Sequence, residues 1–251
     1  MIKKMELKTF FQENPKVALA FSGGTDSAYL LYAAVKAGAE VKPFYIKTVF
    51  QPRFELEHAR RLAKELKLEL EVLELDVLAR PQVAENPGDR CYHCKKALFG
   101  VLKEKAAAAG YQVLMDGTNA SDDAGDRPGM KALTQLKVRS PLRECGITKS
   151  EIRRLSREAG LFTWDKPAYA CLATRLPTGQ ALTADILAKV EAAEAELFRL
   201  GFQDFRVRVF GGAARLQLPE GQLVRAVEAR EEILGRLKPY FEIVLLDLAA
   251  R

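Results

Sequence analysis

A short apolar run, Val17-Ala18-Leu19-Ala20-Phe21, leads into Ser22-Gly23-Gly24-Thr25-Asp26-Ser27, and the pattern after Asp26 turns helical. No other segment constrains the fold as strongly. The run predicts a buried strand, and the paired glycines predict a tight turn. Ala28, Leu30, Leu31, Ala34 and Val35 predict an apolar helix face that Gly38 ends. A helix opening straight from a glycine turn offers unpaired N–H groups and the positive end of its dipole. Ser22, Thr25 and Ser27 add hydroxyl donors. Together these suit a pyrophosphate-like anion. The loop lacks the Gly-Lys-Ser/Thr of a Walker A loop and the Gly-x-Gly-x-x-Gly of a dinucleotide fingerprint. The plainer alternative is an ordinary helix cap after a glycine turn.

The same alternation continues along the chain. Strands are predicted over residues 41–46, 68–75 and 113–115, with helices over 54–66, 94–109 and 149–159. Pro43 inside the second strand predicts an edge or a bend. Residues 116–130 read as a Gly/Asp/Asn-rich loop and 138–142 as a short extended piece. Strands alternating with helices predict an α/β fold with a doubly wound, mostly parallel sheet. Residues 163–182 are irregular, and the domain boundary is placed near 180, giving domains 1–180 and 181–251. The second has a different order. Thr183 caps a helix to about 200, strands 205–210 and 214–218 join through Gly211-Gly212, and a helix over 223–237 precedes a strand over 241–246. That is a small α+β unit.

Composition narrows the function classes. A net charge of +6 is compatible with an anionic ligand and does not by itself indicate nucleic-acid binding. No apolar stretch approaches the roughly 20 residues that span a bilayer, and the N-terminus lacks the apolar core of a signal peptide. A cytoplasmic, non-membrane location is therefore expected. In a reducing compartment Cys91, Cys94, Cys145 and Cys171 are expected as ligands, reactive thiols or core residues rather than as disulfides.

Ser-Gly-Gly-x-Asp-Ser over residues 22–27 resembles the signature of the N-type ATP pyrophosphatases, the PP-loop superfamily. Three further segments resemble one branch of it, the LarE family of ATP-dependent sulfur transferases. They are Arg90-Cys91-Tyr92-His93-Cys94-Lys95-Lys96, Asp116-Gly117-Thr118-Asn119-Ala120-Ser121-Asp122 with Arg127-Pro128-Gly129, and 166–179 around Cys171. Arg206-Val207-Arg208 and Ala214-Arg215-Leu216 are similar to the family's C-terminal strands, so the resemblance covers nearly the whole chain. It implies an adenine nucleotide alpha hydrolase-like PP-loop domain, use of ATP with Mg²⁺, and pyrophosphate release from residues 22–27. It also implies a small-molecule nucleotide substrate. Members of the family adenylate a carboxylate of pyridinium-3,5-biscarboxylic acid mononucleotide and install sulfur, in making the nickel-pincer nucleotide cofactor. A homo-oligomer is implied too. Members often carry a Gly- and Arg-containing tail after the last strand, which this sequence does not show, and that weakens transfer of the exact substrate.

The resemblance assigns roles residue by residue. Asp26 would position metal or phosphate. The sulfur would come from Cys171 itself, or from a sulfide on a [4Fe-4S] cluster held by Cys91, Cys94 and Cys171. The spacing alone leaves structural zinc or uncommitted thiols open. His93 sits inside the cysteine pair and is expected to point elsewhere. Cys145 is expected as a buried small hydrophobe. Asn119 and Asp122 follow a strand end, where open α/β sheets bind ligands, although a plain Asx turn explains them equally. Lys95, Lys96, Arg127 and Arg175 are candidates for charge at an anionic site. Arg206 and Arg208, two apart on one strand face, would bind the substrate phosphate or another anion, and Glu194 would hold a metal or an arginine, with a solvated surface role as the alternative for all three. Trp164 and Tyr169 would stack on a planar ring or pack in the core. The competing functions are a tRNA-thiolating enzyme of the same superfamily and a non-catalytic nucleotide or Fe–S binding protein.

Overall fold

The computed structural model describes residues 6–122 and 128–251. The chain forms two compact units. The first holds Met1–Thr48, Arg53–Val77 and Asp89–Lys166, and the second holds Val49–Pro52, Leu78–Gly88 and Pro167–Arg251.

In chain order the elements are α1 (Leu7–Glu13), β1 (Lys16–Ala20), α2 (Thr25–Lys36), β2 (Glu40–Lys47), α3 (Arg53–Glu65), β3 (Glu71–Glu74), the short α4 (Pro81–Ala84), α5 (Arg90–Ala108), β4 (Val113–Met115), α6 (Pro128–Gln135), α7 (Pro141–Glu144) and α8 (Lys149–Glu158). All but α4 belong to the first unit. Its four strands are parallel in the order β3-β2-β1-β4, with Val17 opposite Val41 on one side and Val113 on the other. A single parallel bridge, Met115 to Arg139, extends the sheet beyond β4. The piece expected over 138–142 shrinks to that bridge, because Pro141 starts the turn of α7.

Strand alternation divides the core. Val17, Leu19 and Phe21 face one layer with Ala28, Leu30 and Leu31 of α2, Leu62 of α3 and Ile152 of α8. Ala18, Phe44 and Ile46 face the other, with Phe99 and Leu102 of α5 and Leu133 of α6. Helices therefore cover both faces, as the doubly wound class requires. Full burial of each large side chain contributes about 1.5–3 kcal/mol.

Three local details depart from the pattern read in the sequence. Pro43 lies in an inner strand, not an edge. The Lys47 carbonyl accepts from Leu75 N and so faces β3, and the two-residue period turns Pro43 the same way. Pairing with β3 begins only at Phe44, so the missing N–H of Pro43 costs no ladder bond. The helix expected from 94 begins at Arg90, which brings Cys91 and Cys94 into its first turns. Part of the expected loop 116–130 is helical, since α6 starts at Pro128.

The second unit contains a 3-10 turn (Leu172–Arg175), α9 (Ala184–Arg199), β5 (Arg206–Phe210), β6 (Ala213–Gln217), α10 (Glu220–Glu228), α11 (Arg230–Leu237) and β7 (Val244–Leu246). Thr183 Oγ1 accepts from Ile186 N at 3.3 Å and caps α9. Gly211 and Gly212, both at positive φ, turn β5 into antiparallel β6. β7 pairs parallel to β6. The helix expected over 223–237 is two helices that break at Ala229, where ψ opens to 13°.

Candidate active site

β1 delivers the chain to Ser22, Gly23 and Gly24, and α2 begins at Thr25. Gly23 has φ +71°, and a Cβ there would stand 2.9 Å from the Glu55 carbonyl and 3.1 Å from Ala59 N on α3. Only glycine fits this close approach. Gly117 closes the other side, since a Cβ on it would lie 2.8 Å from Ser27 N. The Ser22 and Ser27 hydroxyls meet at 3.0 Å, and Gly24 N donates to Ser22 Oγ at 3.3 Å. Thr25, expected to offer a free hydroxyl, instead donates it to the Thr163 carbonyl at 2.8 Å. Its role in this geometry is to tie the loop to residue 163.

Asp26 lies in the first turn of α2. Its Oδ1 accepts from Lys149 Nζ at 2.7 Å, and its Oδ2 accepts from Asn119 Nδ2 at 3.4 Å. Asn119 and Asp122 form the Asx geometry that sequence left open. Asn119 N donates to Asp122 Oδ2 at 2.9 Å, and Ser121 N donates to Asn119 Oδ1 at 2.8 Å. The turn thus aims the Asn119 amide at Asp26. Lys149 arrives at the start of α8, where Thr148 and Glu151 form a capping box. Neither Lys149 nor its pairing with Asp26 was anticipated in the sequence. The capping box places the start of α8, but nothing local indicates which residue its lysine meets.

A second unanticipated lysine reaches the loop. Lys166 Nζ donates to the Gly23 carbonyl at 3.2 Å and stands 5.5 Å from the Phe54 ring centre. Burial lowers its pKa, and Glu55 acts in the opposite sense. Nearby His58 sits edge-on to Phe54 and Phe162, and its buried Nδ1 has no hydrogen-bond partner among the described residues. Its pKa is lowered by burial first, then by the charges of Lys166 and Arg61.

Cys91 is exposed, Cys94 is half-buried, and both belong to α5 of the first unit. A separation of three residues puts them on one helix face. Cys91 Sγ accepts from Arg90 Nη2 at 3.6 Å. His93 bonds Asp89 at 3.1 Å. Cys171, in the second unit, is half-buried and precedes the 3-10 turn. None of the cysteines is in a disulfide, and Cys145 is buried. Among the described residues, no group of three His, Cys, Asp or Glu is placed to hold a metal. Lys95 packs its stem on Gly129, Lys96 lies 5.7 Å from the Tyr92 ring, and Arg157 lies over Trp164. Arg127 falls outside the described residues.

The second unit gathers the other candidates. Arg175 and Glu194 form a two-pronged pair, with Nε to Oε1 at 2.7 Å and Nη2 to Oε2 at 3.1 Å, and both side chains are nearly inaccessible at 0% and 2%. Val207 N and the Tyr169 hydroxyl also donate to Glu194. Tyr169 lies against both Arg175 and Arg206. Arg206 is buried and donates to the Ala168 and Phe205 carbonyls, both at 2.6 Å. Burial, with Arg175 beside it, pushes its pKa down to about 10. Arg208 donates to the Thr174 carbonyl at 2.5 Å. Arg175, Arg208 and Arg215 border a cavity of about 220 Å³ with Pro177 and Phe210. No described helix is long and apolar enough to cross a membrane.

Comparison with known proteins adds relatives to this geometry. Residues 16–85 match the family model of the queuosine biosynthesis protein QueC. The chain is 37% identical to an uncharacterized protein of Synechocystis over 254 residues, covering 98% of this chain and 93% of the relative. It is 33% identical to pyridinium-3,5-bisthiocarboxylic acid mononucleotide synthase of Lactiplantibacillus plantarum, covering 98% of this chain and 90% of that one. A tRNA-specific 2-thiouridylase of Thermotoga is 28% identical, over 58% of this chain and 52% of its own length.

Proposed function

The chain belongs to the LarE-type family of PP-loop enzymes, which use ATP in sulfur transfer, and from that premise we propose that it thiolates a carboxylate of pyridinium-3,5-biscarboxylic acid mononucleotide. The observation that carries this reading is the end-to-end similarity to a synthase named for the bisthiocarboxylic product. The similarity to the tRNA thiouridylase spans little more than half the chain and supports the shared ATP chemistry.

A carboxylate is a poor acceptor because oxide would have to leave. In the proposed reaction a carboxylate oxygen attacks the α-phosphorus of ATP, the bond to the β-phosphate breaks, and pyrophosphate departs with that electron pair. A sulfur nucleophile then attacks the acyl carbon, and AMP leaves. A sulfide nucleophile exchanges one oxygen for sulfur at once; Cys171 instead forms a thioester, and loss of its α-proton with cleavage of its Cβ–S bond then releases the thiocarboxylate and leaves dehydroalanine at position 171. Residues 22–27 supply N–H dipoles and hydroxyls to the departing pyrophosphate. Asp26, held by Lys149 and Asn119, is a partly exposed carboxylate at this loop. That suits Mg²⁺, which commonly takes one or two carboxylates plus substrate phosphates. Bound there, the ion supplies neutralisation of phosphate charge.

For the sulfur source we keep Cys171 or a [4Fe-4S]-bound sulfide. Cys91 and Cys94, on one face of α5 and outside any disulfide, suit two thiolate ligands. With Cys171 as a third, one iron would keep no protein ligand, and a cluster there would supply a transferable sulfide. Arg206 and Arg208 are proposed to set the positive field that receives the substrate phosphate, with Arg175 and Glu194 bracing them.

Pyrophosphate release from ATP tests the reading. Release that requires the carboxylated pyridinium mononucleotide supports it. Release driven by tRNA instead would replace it, and nucleotide binding without release would make the protein non-catalytic.

A further inference from the structure

The ammonium of Lys166 is short of partners. It has three donors. Among the described residues it spends one on the Gly23 carbonyl, at 3.2 Å, and lies against the Phe54 ring. No carboxylate stands within ion-pair distance of it among those residues. Of the charged groups around it, Glu55 and Glu57 of α3 are acidic, while His58 and Arg61 of α3 and Arg153 of α8 are basic, and Glu55 acts directly on its charge. Burial disfavours its charged form, and its charge in turn disfavours a second one on His58. Among the described residues the ammonium therefore keeps unspent donors, and Glu55 acts on it without forming an ion pair.

The base of the side chain is fixed from two sides. The Thr163 carbonyl accepts from Thr25 Oγ1 at 2.8 Å, and the Lys166 carbonyl accepts from Arg153 Nη2 at 3.2 Å. The segment is thus tied to α2 and to α8, while the ammonium ends on the carbonyl of a loop glycine. A parked cation with unspent donors beside an array of N–H groups is an arrangement prepared for an anion.

We infer that Lys166 is the counter-charge of the leaving pyrophosphate, turning from the Gly23 carbonyl to the β- and γ-phosphates when the loop is filled. The inference rests on residues 22–27 being the phosphate loop. It adds a residue that the signature string does not contain, 143 positions away from Gly23.

Calorimetry with inorganic pyrophosphate and with AMP, in Mg²⁺, separates the possibilities. AMP carries no β- or γ-phosphate. K166M should weaken pyrophosphate binding about tenfold or more, the span of a lost charge-assisted hydrogen bond, and leave AMP binding unchanged. K166R should recover most of the loss. A structural role would weaken both ligands together, and either that result or an unchanged pyrophosphate affinity overturns the inference. Should K166M fail to fold, acetylation of Lys166 in the wild-type chain serves. Pyrophosphate should slow it and AMP should not; equal rates would refute the assignment. Wild-type protein that binds neither ligand would be a failure of the phosphate-loop reading instead.

Discussion

Asp26 and Lys149, 123 positions apart in sequence, meet at 2.7 Å at the opening of the phosphate loop. Their side chains are 25% and 32% exposed, so water screens the pair and its contribution to folding is small, below about 1 kcal/mol. In the proposed function its weight is in the site. D26N or K149M should lower pyrophosphate release about 10- to 100-fold while shifting the urea midpoint little. Release at the wild-type rate in both variants would remove the pair from the machinery.

The Arg175–Glu194 pair is the opposite case. It is buried, two-pronged, and shared with Val207 N and Tyr169. Removing one partner leaves a buried charge uncompensated, which costs about 3–5 kcal/mol. E194L and R175M should each lower unfolding free energy by that amount, and the double variant should lose less than the two together. Additive losses in urea melts would contradict the coupling.

Glycine at 23 is required twice over, by φ +71° and by contact with the α3 backbone. G23A should lose about 1–3 kcal/mol of stability and most pyrophosphate affinity. G38A, where nothing lies within 4 Å of the added Cβ, pays only the backbone strain and should keep pyrophosphate affinity. Comparable loss of affinity in both would show that strain alone, without the close approach, disables the loop.

His58 gives a pH signature. Its folded pKa is below the ordinary 6.5 because burial, Lys166 and Arg61 oppose its charge. The unfolded chain therefore binds the proton more readily. Stability from this group is complete above about 6.5 and falls as pH drops through that value toward the folded pKa. H58F should flatten this part of the profile between about pH 7 and pH 5. Parallel profiles for the variant and wild type would exclude His58 as the source.

Local periodicity made much of this fold legible. The strand, the glycine turn and α2 follow from residues 17–38, and Gly211-Gly212 marks the hairpin between β5 and β6. The first turn of α5 was not legible, because Pro87 and Gly88 end just before it and suggest a longer loop. α6 was hidden for a similar reason, since Pro128-Gly129 reads as a turn although Pro is at home in a first helical turn. Within the site, Asp26 and Asn119 stand in recognisable strings. Lys149 and Lys166 reach the loop through contacts 123 and 143 residues long, which no local pattern encodes. Thr25 was legible as a hydroxyl in the loop, but not as one committed to Thr163.

The most direct test of the account is the mass of the product formed from ATP and the carboxylated pyridinium mononucleotide by protein purified without oxygen. The account predicts a nucleotide with one carboxylate oxygen exchanged for sulfur, formed with equimolar pyrophosphate and AMP. Pyrophosphate release with a product whose mass is unchanged would contradict sulfur transfer to this substrate.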